Sequence, residues 1–164
     1  MTPRPFVMWP DARLTTPAAE VAEVTDETRA IWDEMIAAMR AMPGGVGLAA
    51  PQLGVMQRLA VVDAGDGFGV TRLANPRVVH ASARTATHEE ASPNLPGVSA
   101  PVARPRAVTV AYLDETGAAI EQEFVLLRAT SVQHQIDHLD GRMYFHRLSR
   151  LKRDMLLRKL RKTR

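Results

Sequence analysis

His134 and His138 stand four residues apart in the run Gln133-His134-Gln135-Ile136-Asp137-His138-Leu139. On a helix, side chains at that spacing share a face, with Cβ atoms about 5–6 Å apart. Two imidazoles so placed can hold one divalent metal ion, as the HExxH pattern of metallohydrolases does, with the intervening glutamate as general base. Here the residue in the glutamate position is Gln135, whose amide can hold a water but cannot take and return its proton. Spacing alone does not choose between a metal pair and two packed imidazoles. The chain has no cysteine, which removes disulfides, thiolate nucleophiles and every metal site that draws on cysteine sulfur.

The elements that must hold these residues can be read from periodicity. A helix is predicted from Thr25 or Asp26 to about Met42, because Ile31, Trp32, Met35, Ile36 and Met39 recur at three- and four-residue spacing and Pro43-Gly44-Gly45 stops it. Short strands are expected at Leu59–Val62, Thr71–Leu73 and Val78-Val79, with a turn at Asn75-Pro76. Residues 91–105, with four prolines, read as loop or edge backbone. Ala107–Leu113 and Ile120–Leu126 read as a hairpin about Asp114-Glu115-Thr116-Gly117. The histidines then fall on a second helix, Leu127 to Leu139, closed by Asp140-Gly141. A third helix is expected from Ser149 to Lys162, with Leu148, Leu151, Met155 and Leu160 along its apolar side. The expectation is one α+β domain over residues 1–164, of short antiparallel strands around the central histidine helix.

A length of 164 residues with 46% hydrophobic and 24% charged side chains suits one hydrophobic core and is short for two. No apolar run approaches the roughly 18 residues of a membrane span, and no signal-peptide stretch follows Met1, so a cytoplasmic protein is expected. Charge is concentrated at one end. Nine basic residues and one acid, Asp154, lie between 147 and 164, a tail charge of +8 in a chain whose total is +3. Such a helix can neutralise several phosphates of an RNA, or simply pack its apolar side and solvate the other.

Four segments occur in order: Gly45-Val46-Gly47-Leu48-Ala49-Ala50-Pro51-Gln52, Leu73-Ala74-Asn75-Pro76, Glu89-Glu90 through Pro96-Gly97, and Gln133 through Gly141. Together they resemble the peptide deformylases, metalloenzymes that remove formate from N-formylmethionine on new polypeptides. The hallmarks of that family are GxGLAAxQ, EGCLS and QHExDHL segments, and the resemblance runs from about Pro10 to the C-terminus. It implies a metal (iron, zinc or nickel) on two histidines and a cysteine, a glutamate that relays the proton of a bound water, and an oxyanion held by a glutamine and a backbone N–H. It also implies a C-terminal helix that docks on the ribosome.

Carried over residue by residue, His134, His138 and Gln52 stand where the family has its histidine ligands and oxyanion glutamine, and Gly45, Val46, Gly47 and Leu48 stand where it shapes the substrate cleft. Glu89-Glu90 and Pro96-Gly97 fix the register between, placing Ala91-Ser92-Pro93-Asn94 where Gly-Cys-Leu-Ser is expected. Ser92 replaces the cysteine ligand, Pro93 replaces the residue whose N–H faces the oxyanion, and Gln135 replaces the glutamate. Proline has no N–H, and a serine hydroxyl stays protonated where a thiol of pKa about 8.5 ionises readily. The expectation is a catalytically degraded deformylase-like protein, with no metal or a weakly bound divalent ion. Its cleft and basic helix would contact a nascent-peptide N-terminus or the ribosome, with no membrane and no specific DNA among its partners. The alternative is an active metal-dependent amide hydrolase in which Ser92, Glu89, Glu90 or Asp137 completes the ligand set. Glu90 is otherwise expected to pair with Arg104, and Asp137 to support the helix.

Overall fold

The computed structural model describes residues 3–163. Met1 and Thr2 of the proline-rich N-terminal stretch, and Arg164, the last basic residue of the tail, lie outside them. Helix α1 spans Asp26–Ala41. Thr25 caps it, its hydroxyl accepting from the Thr28 N–H while the Thr28 hydroxyl accepts from the Thr25 N–H, and Asp26 and Glu27 occupy the first turn, where the helix dipole favours negative charge. Seven strands follow: β1 Gly47–Ala49, β2 Leu59–Val62, β3 Thr71–Ala81, β4 Thr85–Glu90, β5 Ala100–Pro105, β6 Ala107–Leu113 and β7 Ala119–Val125. Helices α2, Leu126–Leu139, and α3, Arg150–Lys162, complete the chain. The architecture is α+β.

All pairings between strands are antiparallel, in a five-stranded sheet of order β1-β2-β3-β6-β7 and a separate pair β4-β5. The large sheet lies between two helices, and β2 shows why its sequence is continuously apolar. Leu59 and Val61 pack with Trp32, Met35 and Met39 of α1, whereas Ala60 and Val62 pack with Ala129, Val132 and Ile136 of α2. Side chains alternate across a strand, so a strand covered on both faces carries no polar position. A third apolar cluster joins β5 to the segment after α2 and to α3, through Val102, Tyr144, Phe145, Leu156 and Leu160.

Three expectations are corrected. Asn75-Pro76 is not a turn between strands but an irregularity inside β3. Asn75 adopts a left-handed φ of 52°, and the pairing with β6 shifts register between Ala74 and Arg77. A bulge is the one interior place where a proline, lacking its N–H, sits in a sheet at little cost. The Asn75 side chain then accepts from the Val21 N–H and donates to the Val21 carbonyl, both at 2.9 Å, clamping the N-terminal segment. Residues 100–105 form the edge strand β5, as the reading of loop or edge backbone allowed, and what that reading missed is its partner β4.

The apolar side of α3 is the third. Leu151 and Met155 are exposed (71% and 60%), whereas Leu156 and Leu160 are buried. Leu160→Ala is therefore expected to destabilise the fold by about 2–5 kcal/mol, and Leu151→Ala and Met155→Ala by no more than about 0.5 kcal/mol each. Urea denaturation of the three variants checks the ranking.

Candidate active site

Helix α2 is an unusual centre for a small protein, buried from Arg128 to Leu139 although eight of those residues are polar or charged. Buried polar groups need partners, and most of these have them. Gln133 donates to the carbonyls of Pro105 and Ala129, Ser131 donates to the carbonyl of Val46 at 2.8 Å, and Arg128 donates to the Thr71 hydroxyl at 2.7 Å. Asp137 accepts from Arg104 at 2.8 Å and from two nitrogens of Arg147 at 2.6 and 2.7 Å. The expected pairing of Glu90 with Arg104 is present as a buried two-bond contact, Nε to Oε2 at 2.7 Å and Nη2 to Oε1 at 2.9 Å. Burial alone would raise both carboxyl groups. Hydrogen bonds from Arg104 and His134 to Glu90, and from Arg147 and Arg104 to Asp137, outweigh it and hold both below the ordinary carboxylate range.

The two histidines meet tip to tip, with Nε2 of His138 and Nε2 of His134 separated by 3.2 Å. His134 Nδ1 lies 2.8 Å from the Glu90 carboxylate, which can only accept, so Nδ1 of His134 carries a proton. At 3.2 Å the two Nε2 atoms share one proton, one ring donating to the other. His138 Nδ1 is buried and has no partner among the described residues. Burial, and then neighbouring His134, push the His138 pKa well below the usual imidazole range.

This arrangement fits a metal ion poorly. To offer both Nε2 lone pairs the proton between the rings must leave, and a neutral His138 then carries its own on Nδ1, which has no acceptor among the described residues, whereas ligating histidines normally hydrogen-bond through the other nitrogen. The carboxylates named as stand-in ligands are committed elsewhere: Glu90 to Arg104 and His134, Asp137 to Arg104 and Arg147, and Glu89 to the Ser99 hydroxyl at 2.7 Å. No group of three histidine, cysteine, aspartate or glutamate side chains placed to hold one ion occurs among the described residues.

Ser92 is also committed. Its hydroxyl donates to Asn94 Oδ1 at 2.8 Å and accepts from Gln52 Nε2 at 3.2 Å. Gln52 Nε2 donates its other hydrogen to Asn94 Oδ1 at 2.7 Å, while Gln52 Oε1 accepts from the Ala49 N–H at 2.9 Å. Both donors of the Gln52 amide are thus spent inside the protein. Asn94, fully buried, donates onward to the Val7 carbonyl. The sequence reading placed Asn94 only as the residue in the serine position, and its role depends on contacts to residues 42 and 87 positions away that no local pattern records.

A cavity of about 460 Å³ opens beside these groups. Gly45, Val46, Gly47, Gln52, Ser92, Pro93, His134 and Gln135 line it. Leu48, expected with them, does not. Strand alternation turns it to the opposite face of β1, where it is fully buried against α1. His138 lies behind His134 rather than on the cavity wall. Gly47 faces α2 so closely that a Cβ there would sit 2.4 Å from Ser131 Oγ and 2.6 Å from Gln135 Nε2, so any larger residue would have to displace both side chains. Gln135 is buried, with Oε1 unpartnered. His88 and Thr130, which the sequence reading did not single out, also line the cavity.

Residues 3–154 match the family model for polypeptide deformylase. A curated protein from Bradyrhizobium diazoefficiens named peptide deformylase-like is 40% identical over 162 residues, covering 99% of this chain and 95% of its own. A peptide deformylase of Acidobacterium capsulatum is 39% identical over 162 residues, covering 97% and 94%. Among solved structures, the peptide deformylase of Ehrlichia chaffeensis superposes with a TM-score of 0.91 at 31% identity, covering 99% of this chain and 97% of that one.

Proposed function

The chain belongs to the polypeptide deformylase family, and on that premise we propose that it is a member that has lost deformylation and keeps the cleft as a binding site for peptide N-termini. The observation that carries this reading is the closed hydrogen-bond cluster of Gln52, Ser92 and Asn94. A donor preorganised towards a developing oxyanion stabilises it because it has no better partner in the ground state. Gln52 has two such partners already. Pro93 lines the same cavity and has no N–H to offer. Gln135 stands between the two imidazoles with no carboxylate to move a proton. Three independent parts of the chemistry are missing while the cavity beside them stays open.

Deformylation or other amide hydrolysis by a metal on a substituted ligand set is the competing reading. It requires an anionic third ligand, and the carboxylates nearest the histidines are already bound to arginine or serine. The test uses untagged protein, because a histidine tag would carry its own metal. Elemental analysis is expected to find well under one equivalent of iron, nickel or zinc, and formyl-Met-Ala-Ser is expected to bind without releasing formate when any of those ions is added. Turnover within tenfold of an ordinary peptide deformylase would overturn the reading.

The basic helix α3 is part of the same proposal. Arg150, Lys152, Arg158, Lys159, Arg161 and Lys162 are exposed, so its outer surface is cationic, whereas Arg147 is tied to Asp137 and adds little to that surface. A polyanion such as ribosomal RNA fits this surface, and binding to it would weaken steeply with salt. No helix among the described residues is long and apolar enough to cross a membrane.

A further inference from the structure

The cavity has a polar wall that neither the histidine pair nor the Gln52 cluster accounts for. His88 on β4 and Thr130 on α2 meet on this wall, His88 Nδ1 lying 3.1 Å from Thr130 Oγ1. Thr130 is buried, and His88 is half-buried. Their neighbours on the wall already have partners, Ser131 the Val46 carbonyl and Glu89 Oε1 the Ser99 hydroxyl. His88 Nε2, by contrast, has no hydrogen-bond partner among the described residues. The threonine contact orients the ring and leaves Nε2 unpartnered on a residue of the cavity wall, beside apolar Met42, Val46 and Leu127.

Resting on the peptide-cleft reading, we propose that His88 and Thr130 make this cavity select a peptide whose first residue carries a hydroxyl or amide side chain over one whose first side chain is apolar. Thr130 lies four residues before His134, one helical turn along the same face of α2. In this proposal the N-terminal group of the peptide sits at His134 and Gln135 and its first side chain one turn along the same cavity, at the His88–Thr130 pair. A hydroxyl or amide there hydrogen-bonds Nε2. An apolar side chain of the same size removes Nε2 from water and returns nothing, and a site built to hydrogen-bond its ligand discriminates strongly against the isostere that lacks the group.

Isosteric pairs isolate the effect. Dissociation constants of formyl-Xaa-Ala-Ser peptides with Xaa Gln against Met, and Thr against Val, are measured by calorimetry on the untagged protein. The wild type is expected to bind the Gln and Thr peptides at least about tenfold more tightly than their Met and Val partners. In the double variant His88→Leu, Thr130→Val the order is expected to reverse. Thr130→Val alone, which keeps the volume of the side chain, is expected to shrink the preference and stands in if the double variant does not fold. A wild type that binds Met as tightly as Gln, or a preference that survives both variants, overturns the assignment while leaving the peptide cleft intact. Failure of all four peptides to bind removes the cleft reading and this one with it.

Discussion

Combining Ser92→Cys, Pro93→Leu and Gln135→Glu is expected to yield a protein that retains about one equivalent of iron-group metal or zinc after dialysis, and that releases formate from formyl-Met-Ala-Ser at least about 10³-fold faster than the parent. The cysteine supplies the anionic third ligand, and its binding energy must also cover holding the His138 proton on an unpartnered nitrogen. The leucine returns a backbone N–H. The glutamate places a carboxylate where the Gln135 Oε1 already sits buried and without a partner.

Asn94 sets the ceiling on that recovery. In the triple variant it still accepts from Gln52 Nε2, so one oxyanion donor stays occupied. Adding Asn94→Ser frees it and is expected to raise turnover by a further tenfold to about 10²-fold, with metal content unchanged. The cost falls on stability, since Asn94 also ties residues 52 and 92 to Val7, and thermal melting reports it separately. A triple variant that stays free of metal would mean that the histidine pair itself has moved away from ligating geometry.

What was legible in the sequence is what local rules decide. Thr25 ahead of a 3.6-residue apolar period gives α1 within a residue, and the four-residue interval places both imidazoles of α2 on one face. The pairing of Glu90 with Arg104 came from the family resemblance rather than from any local rule. The misses have non-local causes. The sequence of β4, Thr85–Glu90, is too polar for strand propensity to speak, and it exists because β5 pairs with it. Asn75-Pro76 carries a strong local turn signal that pairing of β3 with β2 and β6 overrides. On α3, Leu151 and Met155 form one apolar stripe and Leu156 and Leu160 an adjacent one, and periodicity cannot say which meets the body. The Gln52–Ser92–Asn94 cluster joins residues 42 positions apart, so its state had no signature before folding brought them together.

Arg104→Met is expected to cost about 3–5 kcal/mol of stability at pH 7, the range for breaking a buried ion pair from one side. Arg104 is 1% exposed and donates to Glu90 and Asp137 together, tying β4, β5 and α2 at the back of the histidine pair. Without it Glu90 keeps only His134, while Asp137 keeps Arg147. Acid reveals whether charge is the origin. Both carboxyl groups lie below their ordinary pKa values in the folded protein. Their contribution is therefore complete above the unfolded values, near pH 4, and disappears as pH falls through the folded ones. In the variant, burial is no longer offset at Glu90, so that carboxyl takes up its proton at a higher pH and sheds the penalty of a buried unpaired charge. The gap between wild type and variant is thus widest at neutral pH and narrows towards about pH 4, and Glu90→Gln on the methionine background recovers part of it at pH 7. Urea denaturation at the two pH values measures the gap, and one that does not change between them would place the loss in packing rather than in the ion pairs.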